Sequence, residues 1–258
     1  MADQEQRVPV LRVPAWESIP HLVHGFLGRR GGASRGPFAG LNLSHRVGDA
    51  PETVRENWRR VSDETGGVRP ARMQQVHGDR VVTIDDADVD AGEADAKVTR
   101  ASATAVGILT ADCVPILVVA PRNHVVAAVH AGWRGTLAGV AQRAVQHVEQ
   151  AFGAPATELR VALGPSIGGC CYEVDRDIAD ALERRWGRMP DAVRRDAGSK
   201  AMIDLRRANA AILEGTGVCG KHIVSIGRCT RCAASEYFSH RAATGPTGRQ
   251  WSFIGWRA

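Results

Sequence analysis

The sequence predicts an α+β fold with mixed sheets, on three observations. Short apolar runs with β-branched residues at 105–109 (AVGIL), 114–119 (VPILVV) and 125–129 (VVAAV) read as buried strands. Amphipathic stretches with capping residues and closing glycines read as helices. The two kinds of segment interleave without the regular βα repeat of a doubly wound sheet.

Taken in order, residues 1–8 read as a frayed end. Asp49, Pro51 and Glu52 start a helix with Val54, Trp58 and Val61 on one face, and Gly66-Gly67 end it. After the three strands, a helix of roughly four turns begins at Gly135. Leu137, Val140, Ala144, Val148 and Ala151 form its core face, and Gly153 closes it. Residues 160–163 (RVAL) are a further strand ending at Gly164-Pro165. Asp175 caps a helix carrying Ile178, Leu182 and Trp186, and Asp204 caps one carrying Leu205, Ala208 and Ile212. Residues 222–226 (HIVSI) form a late strand. No repeat or low-complexity linker divides the chain, so residues 1–258 are expected to form a single domain.

The 258 residues suffice for a full core, so neither metal nor disulfide is needed merely to fold them. Hydrophobic content of 44%, charged content of 24% and a net charge of +5 are those of an ordinary globular protein. The arginines are dispersed, with no basic block of the kind that binds nucleic acid, so no nucleic-acid partner is expected. A mildly basic surface suits an anionic substrate such as phosphate. No apolar run reaches membrane-helix length, and the N-terminus lacks a basic-then-apolar signal pattern. The expectation is a cytoplasmic protein with no membrane partner. Its six cysteines are then ligands, nucleophiles or buried thiols before they are disulfides.

Three segments hold residues able to bind a metal: "MQQVHGDRV" with His77, "ILTADCVPIL" with Asp112 and Cys113, and "VVAAVHAGWRGTL" with His130. Two imidazoles and a thiolate make an open zinc site, with a position left for water or substrate. The separations of 36 and 17 residues match no zinc finger or HExxH helix, so pattern alone leaves other readings open. A histidine before glycine is commonly a turn residue, and a cysteine between strands commonly a small hydrophobe. Cys113 with His130 also fits a nucleophile and base, a role that metal coordination would preclude. "CTRC" (229–232) alone could be half of a zinc ribbon or a redox pair, but no second C-x-x-C accompanies it, and Cys170-Cys171 do not readily bridge to each other. These four read as structural thiols, and Cys219 carries no signal. The glycine-rich loops at 28–36, 164–174 and 245–251 match no nucleotide fingerprint, although their amides can bind anions. Arg29, Arg30 and Arg134 lie in or beside such turns, either as surface charges or as phosphate ligands. Asn42 in "GLNLS" is a turn residue or a directional polar contact.

Together, "HGFLGRRGGAS", "GLNLS", "QVHG", "ADA" (94–96), "TADCVPI", "VHAGWRG", "GPSIGGCCYEV", "YFSHRA" and "TGRQWSFIGW" resemble the successive blocks of a known family. It is the multicopper polyphenol oxidase (laccase-like) family, also described as YfiH-type purine nucleoside phosphorylases. The resemblance runs from about residue 20 to 256. It implies a layered α/β/β/α sandwich, related to toxin deamidase domains, and metal ligands at His77, Cys113 and His130, with zinc as cofactor and copper as the alternative. It implies phosphorolysis of adenosine, inosine and methylthioadenosine, and deamination of adenosine. Copper-dependent phenol oxidation and hydrolytic editing of peptidoglycan precursors are alternatives.

With nine histidines in all, a set of coupled copper centres is poorly supplied. The implied partners are a purine nucleoside and phosphate, and the expected state is a monomer or weak dimer. Asp112 is the expected proton-transfer group, or else a group orienting a histidine. Arg29 is expected to position phosphate. Asn42, Arg60 and Arg134 are the expected substrate- or phosphate-binding residues. Where the family's first helix often reads Asn-Arg, this chain has Asn57-Trp58, and Arg60 is the expected replacement.

Overall fold

The computed structural model describes residues 8–65, 67–195 and 198–258. In chain order the elements begin with β1 (Val10–Leu11), β2 (Leu22–Leu27), α1 (Pro51–Thr65), β3 (Arg69–Pro70), β4 (Val81–Thr83) and β5 (Ala96–Thr99). Next come β6 (Thr104–Thr110), β7 (Val114–Ala120), β8 (Val125–Ala131), α2 (Trp133–Ala138), α3 (Val140–Phe152) and β9 (Arg160–Leu163). The chain continues with β10 (Glu173–Asp175), α4 (Arg176–Trp186), β11 (Val193–Arg195) and β12 (Lys200–Ile203). It ends with α5 (Leu205–Gly215), β13 (Ile223–Ser225) and β14 (Gln250–Trp256).

The strands form a five-stranded sheet (β1-β2-β14-β6-β3), a six-stranded sheet (β13-β9-β7-β8-β5-β4) and a small one (β10-β12-β11). Both large sheets mix parallel and antiparallel pairs. Strand alternation explains how they stack. On β7, Ile116 and Val118 face the helices, whereas Leu117 and Val119 face the other sheet. On β14, Ile254 and Trp256 point between the sheets, while Trp251 and Phe253 point away. Val61 and half-buried Trp58 of α1 pack on that outer face. The helices α3, α4 and α5 cover the six-stranded sheet through Val140, Ala144, Val148, Leu182, Leu205 and Ile212. The result is the four-layered α/β/β/α sandwich. Strands β7 and β8 are buried on both faces, which is why their sequence is continuously apolar rather than alternating. Among the described residues, no helix is long and apolar enough to cross a membrane.

Several expectations are corrected in detail. The helix expected from Gly135 is two helices, broken at Gly139, whose φ of 90° is left-handed and joins α2 to α3. Ala151 is exposed, and Ala141 and Val145 take its place in the core. Asp175 stands at the N-cap of α4, but its carboxylate pairs with Lys200 at 2.5 Å instead of capping. Asp204 does cap α5, accepting from the amides of Arg206 and Arg207. Of the end expected to fray, residues 1–7 lie outside the described residues, and Val8 is buried. Gly66 also lies outside them, and Gly67 has the positive φ of a helix exit.

The sheets meet closely at the end of β9. A Cβ on Gly164 would lie 2.1 Å from Cδ1 of Phe26, a buried β2 side chain of the other sheet. Gly164→Ala is therefore expected to lose about 1–3 kcal/mol of stability through overpacking. Urea denaturation measures this, and an unchanged midpoint would disprove the contact.

Candidate metal centre

Strand register brings the predicted ligands together. In the β7–β8 hairpin, Val114 pairs with Ala131 and Pro115 with His130. Cys113, just before β7, is thus delivered beside His130 at the end of β8, and the 17-residue separation is that of a hairpin's two ends. Strand β5 pairs with the other side of β8, Ala96 opposite Val129, which sets Asp95 at the same margin. His77 arrives on a turn, in the left-handed region at φ 62°. The ligand atoms of His77, Cys113 and His130 all lie within 4.8 Å of one another, and the two imidazoles meet edge to face at 4.8 Å.

The organising residue is Asp95, fully buried, whose block "ADA" the sequence displays without disclosing its role. Its Oδ1 accepts from the His77 amide (2.9 Å) and its Oδ2 from the amides of Gly78 (2.6 Å) and Val76 (3.2 Å). Oδ1 also meets Nδ1 of His130 at 2.8 Å. Burial works to raise the Asp95 carboxyl, but His130 and the Gly78 and Val76 amides hold it below its ordinary value. An ionised carboxylate only accepts, so Nδ1 of His130 carries the proton and Nε2 is presented to the centre.

Charge within the trio is shared. Burial pushes the Cys113 thiol up, but the adjacent His130 and His77 outweigh it and bring it to about 6. Burial pushes His130 down, but the Cys113 sulfur and Asp95 raise it to about 9. Without metal, the pair is a thiolate beside an imidazolium, and a metal entering here displaces that proton.

The residues fit a metal. A Cβ on Gly132 would lie 3.0 Å from the Cys113 sulfur and 3.2 Å from Cδ2 of His77, so glycine keeps the space between two ligands clear. His77 is exposed, which leaves one side of the trio open to solvent. One thiolate and two oriented imidazoles suit zinc, and the same set suits copper.

Asp112, in the adjoining turn at φ 88°, accepts from the Thr230 hydroxyl on Oδ1 (2.5 Å) and from the Arg241 amide on Oδ2 (2.7 Å). Its carbonyl accepts from Ile167 N–H. Around this turn stand Tyr172, Arg241 and Arg249, to which sequence reading assigned no role, and Arg134, which it named as a binding residue. The Tyr172 phenol is pushed up to about 12, chiefly by burial, with Cys113 and Asp112 adding to the rise and Arg241 and Arg134 opposing it. Arg241 lies 5.1 Å over the Tyr172 ring and Arg134 4.3 Å over Trp133. Burial pulls the Arg249 guanidinium down while the charges of Cys113 and Asp112 pull it up. The signal for Arg249 was its place between glycine and glutamine in "TGRQW".

The other expected binding residues gather on loop 28–44 and α1. Arg29 donates to the carbonyls of Ala39 and Ala234 and stacks on Phe238. Arg60 bonds Glu56 and the Gly31 carbonyl. Asn42 is fully buried: its amide donates to Ser44 O and Asp49, and its oxygen accepts from the amides of Ser44 and Arg249. No hydrogen bond among the described residues joins Arg29 or Arg60 to the three ligand side chains. The four cysteines expected to be structural thiols are also brought together: the sulfurs of Cys170, Cys171, Cys229 and Cys232 lie within 4.8 Å of one another.

Asp95→Asn keeps the shape but replaces the accepting oxygen that fixes the His130 tautomer. It is expected to weaken metal affinity about 10–100-fold, as loss of a ligand-orienting carboxylate does. Competition with a chelating dye gives the value, and unchanged affinity would count against the role assigned to Asp95.

The model of the family described as multi-copper polyphenol oxidoreductase laccase matches residues 23–257. The chain is 40% identical to a purine nucleoside phosphorylase of Deinococcus radiodurans over 250 residues, 96% of this chain and 93% of the relative. It is 36% identical to adenosine deaminase RL5 of an unknown prokaryote over 85% of this chain and 88% of that one. The crystal structure of YlmD from Geobacillus stearothermophilus superposes with a TM-score of 0.89 at 34% identity, covering 99% and 98% of the two chains. On sequence and on fold alike, the chain belongs to this YfiH-type, laccase-like family of metal-binding enzymes.

Proposed function

We propose that the protein is a zinc-dependent purine nucleoside enzyme. It splits adenosine and inosine with phosphate into base and ribose 1-phosphate, splits methylthioadenosine into adenine and 5-methylthioribose 1-phosphate, and also deaminates adenosine. The observation that carries this reading is the open His77/Cys113/His130 trio set beside buried Asp112 and the cations Arg134, Arg241 and Arg249. The relatives named phosphorylase and deaminase support it.

His77, Cys113 and His130 would hold the zinc, which supplies Lewis acidity beside the purine. Asp95 keeps Nε2 of His130 turned toward the site throughout. In deamination, the Asp112 carboxylate takes a proton from the attacking water and passes it to the departing amine. In phosphorolysis, phosphate attacks the anomeric carbon as the bond to the base breaks, and arginines offset its charge. Arg249 and Arg134 take that part nearest the metal ligands, with Arg29 on the flanking loop and Arg60 on α1. Asn42 acts through Arg249, whose backbone it fixes.

A second reading, a copper-dependent polyphenol oxidase, is favoured by three observations. The family is described in those terms, His₂Cys is a donor set copper also uses, and the four-cysteine group offers soft thiolates. Metal analysis with paired assays separates the two. The nucleoside reading expects zinc, phosphate-dependent release of hypoxanthine from inosine, and phosphate-independent conversion of adenosine to inosine. Cys113→Ala is expected to lose both activities and the metal held by His77 and His130. Copper with stoichiometric dioxygen uptake on phenols, and no reaction of nucleosides, would establish the second reading instead.

Arg249→Met should divide the two nucleoside reactions. Loss of a charge-assisted contact worth about 1.5–3 kcal/mol raises the phosphate KM about 10–100-fold, while deamination is retained. Equal loss of both reactions in steady-state assays would refute the phosphate role.

A further inference from the structure

We infer that Cys170, Cys171, Cys229 and Cys232 form a second metal site, a closed tetrathiolate centre for zinc that clasps the two loops flanking the Asp112–Cys113 turn. The Cys232 sulfur lies 3.7 Å from that of Cys170 and 3.4 Å from that of Cys171. Disulfide sulfurs sit about 2.05 Å apart, so these contacts are not bonds. A tetrahedron with zinc–sulfur bonds of about 2.3 Å places its sulfurs about 3.8 Å apart, which matches the spacing observed. Four sulfurs in tetrahedral array favour zinc or iron over copper(II) or the hard cations.

The backbone is arranged around sulfur as well. The Cys229 sulfur accepts the Gly168 amide at 3.2 Å. Such an amide–sulfur bond offsets thiolate charge and orients a ligand, as groups behind a metal ligand do. Gly168 stands at the seam of the two segments: a Cβ there would lie 3.4 Å from both the Cys170 sulfur and Cβ of Cys229, at ordinary contact distance. Arg231 stands inside the C-x-x-C and lessens the net negative charge of four thiolates around one divalent ion, while Arg228 pairs with Glu236 at 2.8 Å.

The clasp has a target. The first loop gives the Ile167 amide to the Asp112 carbonyl, and the second gives the Thr230 hydroxyl to its carboxylate. The loops also pair directly, Thr230 N–H to Ser166 O at 3.0 Å. A metal joining Cys170-Cys171 to Cys229 and Cys232 fixes both partners of a left-handed turn that carries Cys113. This centre has no open position, and its role is structural.

The test uses the full chain, purified under reducing conditions from zinc-supplemented cells. Cys113→Ala isolates the second site, because the first site's thiolate is gone. It is expected to retain one zinc per chain by plasma mass spectrometry, with four sulfur neighbours by X-ray absorption. Adding Cys170→Ser and Cys232→Ser to that variant is expected to remove the zinc. The X-ray absorption measurement decides the matter even if the triple variant fails to fold. Cys113→Ala protein with no tightly held zinc, zinc bound through nitrogen only, or a disulfide within the cluster in reduced protein would overturn the proposal. The outcome is independent of the nucleoside reading, which fails or stands on the paired assays.

Discussion

One buried carboxylate underlies the metal centre. Asp95 has no exposed surface, and burying a charge without partners is prohibitive. Its stability there depends on the three amides of residues 76–78 and on the His130 ring, which together fill its oxygens. The dependence runs both ways. Those amides belong to a turn whose middle residue, His77, holds a left-handed backbone that a non-glycine residue adopts only under constraint. The same two oxygens therefore place one ligand through its backbone and another through its ring.

The rest of the sandwich keeps that carboxylate in place. Asp95 immediately precedes β5, and His130 N–H donates to its carbonyl at 2.8 Å. The position of Asp95 is thus set by the β5–β8 ladder. Continuing the alternation of β5, β7 and β8 puts Asp95, Cys113 and His130 on the side facing the five-stranded sheet. Two rigid ladders deliver three of the four groups that matter, while His77 alone depends on a loop. Precision of this kind is what a metal centre gains from strands.

What could be read in the sequence divides along physical lines. Strands β6, β7 and β8 were legible because burial on both faces leaves an unbroken apolar run, whereas β2, β5 and β14, interior to their sheets, were not read as strands. Helix α1 was legible because Pro51, Glu52 and the glycines mark its ends. The short strands β1, β3, β4, β10, β11 and β12 were not, since two to four residues carry no periodicity. The break at Gly139 was hidden because glycine within a helical pattern does not announce a left-handed φ. The three ligands were named through family resemblance, since their spacing encodes a hairpin and a sheet crossing rather than a local motif. Asp95 and Arg249 stood inside quoted blocks, yet one acts by accepting backbone amides and the other by lying near Cys113 in space. Neither property is local in sequence. Cys170 and Cys171 lacked a second C-x-x-C for the same reason: their partners come from a segment some sixty positions on, paired through the Ser166–Cys229 bridge.

The two donor groups differ in what holds them, and the difference assigns their roles. The histidine–cysteine trio is fixed without metal, because Asp95 and the ladders set it, and its charge is already balanced by a thiolate–imidazolium pair. A ligand set so pre-organised keeps its geometry while a coordination position exchanges with solvent, as a reactive centre requires. The four cysteines sit on two loops, and Cys170 and Cys232 are exposed. An amide orients only one of their sulfurs, so an ion must supply the remaining order. A centre whose ligands are ordered by the ion tolerates no exchange at that ion without loosening the loops. Asp112 lies between the two groups, touching the loops of one and adjoining the ligand of the other. On the proposal of a second centre, a metal there would bear on the first through this single turn.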